Sequence, residues 1–162
     1  MDSIWTLTAE MPAFPSLEGD LKTDVLVVGG GMAGLLCAHC LDRAGADYAL
    51  VEAERLCGGV TGRTTAKVTF QHGLIYSRLL RTFGPERARL YLEANRAALG
   101  RFRELCRDIP CGFEEGDAYV YALEDRRKLE REREALSRLG FPAEVVRTPE
   151  LPMPTAGAVR FS

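Results

Sequence analysis

The chain has 162 residues, about the length of one ordinary domain, and a formal net charge of −2. Its 46% apolar and 27% charged residues are sufficient for one buried core and typical of a globular protein. Because acidic and basic residues are interleaved, the composition argues against a polyanion-binding surface, and we expect no nucleic-acid partner.

The sequence also indicates where the protein works. Residues 1–20 lack the cationic start and apolar core of a signal peptide, and no apolar run approaches the ~20 residues that span a membrane. The five cysteines are an odd number without framework spacing. We therefore expect reduced thiols in a cytoplasmic protein with no membrane partner.

The first half of the chain predicts one βαβ unit. An extended lead-in, Trp5–Gly19, precedes the β-branched apolar run Asp24–Val28, which is typical of a strand buried on both faces of a parallel sheet. Met32–Ala44 predicts a helix closed by Gly45, and Asp47–Val51 predicts a second strand. Strand, glycine turn, helix and strand fit into about 30 residues, the size of a βαβ unit.

The second half predicts a mixture of helices and strands. In chain order we expect a loop rich in Gly and Thr at Leu56–Thr69, a long helix at Pro85–Ile109 and one or two strands within Phe113–Leu123. A charged helix at Glu124–Leu139 and two short strands at Ala143–Val146 and Ala158–Phe161 complete the chain order. Leu129, Leu136 and Leu139 form the thin apolar stripe of the charged helix, and a cluster at Pro149, Pro152 and Pro154 separates the last strands. The Arg/Glu run Glu124–Arg133 is interpreted as a solvated helix face.

A glycine motif at the end of the first strand carries the chemistry. In Gly29-x-Gly31-x-x-Gly34, the first glycine permits a tight turn, the second lets a pyrophosphate approach the backbone, and the third lets helix and strand pack closely. The pyrophosphate would then lie at the positive end of the helix dipole. Glu52, about 20 residues further on, can accept hydrogen bonds from a ribose and would repel a 2′-phosphate. The pattern predicts a dinucleotide site.

Two further clusters contain residue types that can carry chemistry. Cys37, His39 and Cys40 lie within the first helix, where two thiols and one imidazole close no tetrahedral site, so no metal is predicted. The Thr61–Val68 loop is dense in hydroxyls and small residues and follows the second strand directly, which favours a role beside cofactor phosphates.

Three stretches resemble the D-amino-acid oxidase/glycine oxidase superfamily of FAD-dependent oxidoreductases. They are Val25–Leu35, Leu50–Thr69 and Gln71–Tyr76, and the last two are similar to a subgroup that often carries a C-terminal Rieske domain. Gly116–Ala122 and Ala156–Phe161 extend the resemblance over most of the chain. It implies an α/β fold, namely a partial FAD-binding Rossmann unit at residues 1–110 followed by the start of a mixed α+β substrate domain at 111–162.

The resemblance also implies roles for individual residues. The backbone of Met32 and Ala33 would contact the pyrophosphate, and Glu52 and Ala53 would contact the adenosine. Thr61 and Gly62 would also line the pyrophosphate. Ala66, Lys67 and Val68 would pass beside the isoalloxazine. Arg63 stands where some relatives attach flavin through a histidine, so we expect non-covalent FAD. No catalytic residue is assigned; His72 is the one candidate, and a satisfied loop histidine is an equal alternative.

We expect the complete enzyme to oxidise a C–N bond of a small amine or amino acid by hydride transfer to flavin. The chain is short for this family and resembles an N-terminal fragment of its members. We therefore expect the isolated chain to be inactive, and we expect a C-terminal region or a second chain to complete its sheet. A truncated non-catalytic remnant or interaction module and an NAD-dependent dehydrogenase are the alternatives.

Overall fold

The computed structural model describes residues 3–148 and 151–162, so Pro149 of the proline cluster lies outside the described residues. The chain forms two compact units, Met1–Lys67 and Val68–Ser162. One contains a two-stranded parallel sheet and the other a three-stranded antiparallel sheet, which confirms the expected mixed α/β class. The units divide after Lys67, whereas the sequence-based division lies after residue 110, so the long helix is part of the second unit.

The first unit contains the predicted βαβ arrangement. Its elements are α1 (Ile4–Thr8), β1 (Val25–Val28), α2 (Met32–Arg43) and β2 (Tyr48–Val51). The strands β1 and β2 are parallel, with the first residue of one opposite the first of the other. After α2, Gly45 adopts a φ of +67°, a left-handed conformation that glycine reaches without steric cost. The predicted helix and both strands are confirmed to within two residues at each end.

The burial expected for β1 is wrong. Leu26 is 57% exposed and Val28 is 76% exposed, although their apolar character was interpreted as burial on both faces. Within the described residues β1 has one neighbouring strand and one packed helix, α2, so part of its apolar surface has nothing to cover it. The apolar pattern indicates what a strand could bury and does not supply the covering element.

The lead-in is not wholly extended, since its start forms α1. Ser3 is the N-cap residue: its side chain accepts a hydrogen bond from the amide of Thr6, whose hydroxyl accepts one from the amide of Ser3. This reciprocal pair satisfies amides that a short helix otherwise leaves without partners. Thr takes the place of the usual Glu or Gln, which is why the sequence pattern did not reveal the helix.

The second unit packs helices against an antiparallel sheet. Its elements are α3 (Tyr76–Cys106), β3 (Ala118–Ala122), α4 (Arg126–Arg138), β4 (Glu144–Val146) and β5 (Gly157–Phe161), and β5 lies between β3 and β4. The region expected to hold one or two strands forms one, β3. All four elements after α3 lie within the ranges that the sequence predicted for them or extend beyond them by one residue.

The long helix α3 begins earlier than predicted. The sequence placed its start at Pro85, but a helical segment already begins at Tyr76, and Gly84, with a φ of +78°, joins the two segments at a kink. Proline is favourable at the first position of a helix and unfavourable inside one, so Pro85 starts the second segment. The helix ends at Cys106, three residues before the predicted end.

The hydrophobic core of the second unit includes the predicted stripe of α4. Leu129 and Leu136 are fully buried and Leu139 nearly so, packed with aromatic residues such as Phe70 and Phe161. The interpretation of Glu124–Arg133 as a solvated face is wrong at one position, because Glu132 is 0% exposed. Its carboxylate accepts hydrogen bonds from the backbone amides at the start of α3, a contact across the sequence that periodicity does not reveal.

Candidate functional site

The glycine turn has the geometry that its spacing predicted. Gly29 has a φ of +104°, a conformation that favours glycine. A Cβ at Gly34 would lie 1.9 Å from the carbonyl oxygen of Gly29, so helix and strand approach each other too closely for a side chain. Gly31 has an ordinary extended backbone, and a Cβ there would meet only the Thr61 hydroxyl, at 3.4 Å. The folded chain alone thus gives little reason for glycine at 31, whereas an approaching ligand does.

Gly30, which the motif leaves unspecified, is required by packing. A Cβ at this position would lie 2.3 Å from the side chain of Leu56 and 3.2 Å from the Cβ of Glu52. Its amide donates a 2.6 Å hydrogen bond to Oε2 of Glu52. No local pattern predicts this contact, because the two residues come together only when the strands pair.

The carboxylate of Glu52 therefore lies at the glycine turn, at the carboxyl end of β2. Oε1 accepts a second hydrogen bond, 3.1 Å long, from the amide of Glu54. Hydrogen bonds from Gly30 and then Glu54 lower the pKa of Glu52 from its ordinary value, since amide donors favour the charged form. The side chain is exposed and ionised at neutral pH, so its oxygens can accept further hydrogen bonds.

Thr61 brings the following loop to the start of α2. Its hydroxyl accepts a 3.1 Å hydrogen bond from the amide of Met32, the first residue of the helix. The N-cap residue, Gly31, has no side chain to do this. The amides of Ala33 and Gly34 likewise have no acceptor within the helix, because the first turn of any α-helix leaves its N–H groups without intrahelical partners.

A cavity of about 240 Å³ lies between the glycine turn, the end of β2 and the following loop. Three of the predicted residues line it, Gly31, Glu52 and Thr61, together with residues that sequence reasoning did not single out: Glu54, Arg55, Cys57, Gly58, Gly59 and Val60. The loop is held against the turn by hydrogen bonds from the Cys57 amide to the Gly30 carbonyl, at 2.9 Å, and from the Gly62 amide to the Cys57 carbonyl, at 3.0 Å. Typical ligand pockets begin at about 300 Å³, so this one can enclose only part of a dinucleotide.

The remaining predicted residues lie outside this cavity. Ala53 is exposed just after β2, and Ala66 has a φ of +52°, with its amide bonded to the hydroxyl of Thr64. Lys67 ends the first compact unit and Val68 begins the second. The isoalloxazine role expected for residues 66–68 stays a prediction.

His72 belongs to the second unit. Its Nε2 lies 3.4 Å from Oδ1 of Asn95, a long hydrogen bond, and the side-chain amide of Asn95 donates to the carbonyl of Tyr91 at 2.8 Å. The contact supplies a structural partner for this histidine, and the catalytic role considered for it stays a prediction.

The other candidate clusters lie apart from the glycine turn. Cys37 and Cys40 are exposed on α2, and all five cysteines are free thiols. In residues 3–148 and 151–162, no group of three or more His, Cys, Asp or Glu side chains is placed to hold a metal ion. None of the helices that the structure describes is both long and apolar enough to cross a membrane.

A βαβ unit with this glycine turn, and with a carboxylate at the end of its second strand, is typical of dinucleotide-binding units. Residues 24–161 match the family model described as "FAD dependent oxidoreductase", which covers most of the chain. The chain therefore belongs to this family of FAD-dependent oxidoreductases, and the resemblance inferred from the motifs is confirmed.

Individual relatives agree with this membership. The chain is 36% identical, over 94% of its length, to the "Putative Rieske 2Fe-2S iron-sulfur protein YhfW" of Bacillus subtilis strain 168, and 29% identical, over 78% of its length, to gamma-glutamylputrescine oxidoreductase of Escherichia coli K12. A 34-residue stretch is 53% identical to an FAD-dependent monooxygenase of Penicillium shearii, corresponding to 21% of this chain and 7% of that enzyme. The matched region spans 30% of the length of each of the first two relatives. No solved structure gave a significant match.

Proposed function

We propose that this chain provides the adenosine and pyrophosphate portion of a non-covalent FAD site in an oxidoreductase that oxidises a C–N bond of an amine or amino acid. The observation that carries the proposal is the convergence of Gly31, Glu52 and Thr61 on one cavity at the start of α2. Family membership supports FAD as the dinucleotide.

Each group at the cavity has a part suited to FAD. The first-turn amides of α2 present partial positive charge to the pyrophosphate, and Gly31 lets it approach the backbone. Thr61 lines the same cavity and Gly62 follows it directly, while the Glu52 carboxylate accepts from the ribose hydroxyls. A 2′-phosphate would meet the charge of Glu52, so NADP is disfavoured. Arg63 has no nucleophilic ring nitrogen, which supports a flavin held without a covalent bond.

When bound, flavin would supply the acceptor for a hydride from the carbon beside an amine, and the resulting imine would then hydrolyse. An amine substrate is supported by the relative from Escherichia coli, whose name specifies gamma-glutamylputrescine. The contribution of the present residues is to bind and orient the cofactor. Proton transfer is assigned to none of them.

The Gly31→Ala variant tests the proposal. An added Cβ fits the backbone, since Gly31 has a φ of −82° and the nearest atom would be 3.4 Å away, but it occupies the path of the pyrophosphate. We expect FAD affinity, measured by quenching of flavin fluorescence, to fall at least tenfold, a cost of about 1.4 kcal/mol. The circular dichroism spectrum should not change.

Gly100→Ala is the matched control. Gly100 lies within α3 with no atom near an added Cβ, so the same substitution there should leave FAD affinity unchanged. NADP should not compete with FAD for the wild-type chain. Unchanged FAD affinity in Gly31→Ala, or NADP binding in preference to FAD, would contradict the proposed site.

A further inference from the structure

The N-terminal helix α1 is hydrogen-bonded to residues 61–64, the segment that begins with Thr61 at the edge of the cavity. The hydroxyl of Ser3 donates to the carbonyl oxygen of Gly62, and the indole Nε1 of Trp5 donates a 2.7 Å hydrogen bond to the carbonyl oxygen of Thr64. These bonds join parts of the chain that lie 59 residues apart in sequence. They hold the loop by its backbone, so they do not depend on the side chains that the loop carries.

The attached loop is the one that reaches the start of α2. Thr61, one residue before Gly62, accepts the hydrogen bond from the Met32 amide. Gly62 is buried, and a Cβ there would lie 2.5 Å from the Cys57 carbonyl oxygen and 3.6 Å from the side chain of Thr6. The contacts therefore form a continuous series from α1, through residues 61–64, to the helix N-terminus where the pyrophosphate is proposed to bind.

We propose that Ser3 and Trp5 are positioning residues for the dinucleotide, which hold residues 61–64 in the conformation that receives it. The inference rests on the proposed function for its ligand, FAD, and extends the site to a segment that sequence analysis interpreted as a simple lead-in. The physical reason is that a loop held before binding loses less conformational freedom when the ligand arrives.

Removing the donors one at a time tests the role. Trp5→Phe keeps an aromatic ring and removes the N–H, and Ser3→Ala removes the hydroxyl. Because a neutral hydrogen bond makes a modest net contribution, we expect each variant to weaken FAD binding by about three- to tenfold. The double variant should show a non-additive loss, since both bonds hold the same loop.

Thr8→Val is the matched control on the same helix. The Thr8 hydroxyl donates to the Ile4 carbonyl within α1 at 2.7 Å and does not reach the loop, so FAD affinity should stay at the wild-type value. A purely structural contribution of α1 would lower the melting temperature of the single variants Trp5→Phe, Ser3→Ala and Thr8→Val and leave FAD affinity unchanged.

Hydrogen–deuterium exchange without FAD gives a readout that does not depend on the ligand. We expect Trp5→Phe to speed exchange of amides 61–64 while the amides of α4 remain as in the wild type. If the wild-type chain binds FAD and the variants bind it equally well, the positioning role is overturned. If the wild-type chain binds no FAD, the proposed function fails. Independently of FAD, unchanged exchange of amides 61–64 in Trp5→Phe would overturn the attachment of the loop to α1.

Discussion

At the scale of single residues, Glu52 shows how one carboxylate can serve both the fold and a ligand. Its position after β2 predicted a ribose acceptor, and the structure adds hydrogen bonds from the amides of Gly30 and Glu54. Oxygen atoms of a carboxylate offer about four acceptor sites, so two amide donors leave capacity for ribose hydroxyls. The hydrogen bonds fix the orientation of the side chain before a ligand arrives.

The lowered pKa of Glu52 leads to a prediction about pH. Its folded pKa lies below the ordinary value of 4.5, so its stabilising hydrogen bonds are fully present above about pH 4.5 and are lost as the pH falls through the lower folded pKa. We expect FAD affinity to be constant above about pH 4.5 with respect to this group, and to decrease as the pH falls through the lower folded pKa. Titrations of FAD at a series of pH values measure this.

Glu52→Gln is the control for that experiment. The amide side chain keeps an acceptor oxygen and has no charge to lose. The FAD affinity of the variant should therefore be lower than that of the wild type at neutral pH. It should not change with pH in the acidic range where the wild-type affinity decreases. An identical acid decrease in both proteins would show that another group is responsible.

At the scale of elements, Glu132 joins the helices α3 and α4. Its oxygens accept 2.7 and 2.9 Å hydrogen bonds from the amides of Tyr76 and Ser77, at an α3 N-terminus whose cap residue, Ile75, has no side-chain acceptor. The negative charge also lies at the positive end of the α3 dipole. A buried glutamate thus caps α3 from a distance in sequence.

Replacing this cap should destabilise the protein. Glu132→Ala leaves two amide donors without an acceptor at a buried site, and we expect the free energy of unfolding to fall by about 3 kcal/mol. Glu134→Ala is the matched control on the same helix: its side chain is 65% exposed, so its loss should cost less than about 0.5 kcal/mol. Urea unfolding of both variants measures the difference, and equal midpoints would contradict the capping role.

The elements also show what sequence patterns could and could not predict. The βαβ unit followed from local signals, because a glycine motif, an apolar strand and a helix-closing glycine each act within a few residues. The start of α3 was missed because its cap comes from Glu132, 56 residues away from Tyr76. At the candidate site, Gly29, Gly31 and Gly34 were predictable from spacing. The hydrogen bond between Gly30 and Glu52 was not, since it exists only after β1 and β2 pair.

At the scale of the whole molecule, burial is distributed unevenly. Among the described residues of the first unit, Ala38 is the one hydrophobic residue that is buried, whereas the second unit has a continuous core that includes Phe70, Tyr76, Leu129 and Phe161. Apolar burial is the dominant favourable contribution to folding, so the two units should differ in local stability. We therefore expect the unit that carries the proposed cofactor site to be the less stable one.

This difference predicts how the molecule responds to FAD. Without ligand, backbone amides of α2 should exchange hydrogen for deuterium faster than those of α4 and β5, which pack in the core. A ligand that binds only the folded first unit stabilises it by mass action, by about 2.7 kcal/mol at a hundredfold excess over Kd. We therefore expect FAD to slow exchange in α2 and in residues 57–64 selectively. Exchange measured with and without FAD checks this. Equal protection of α2 and α4 in the free chain would contradict the difference in stability, and slowing confined to α4 would contradict the location of the site.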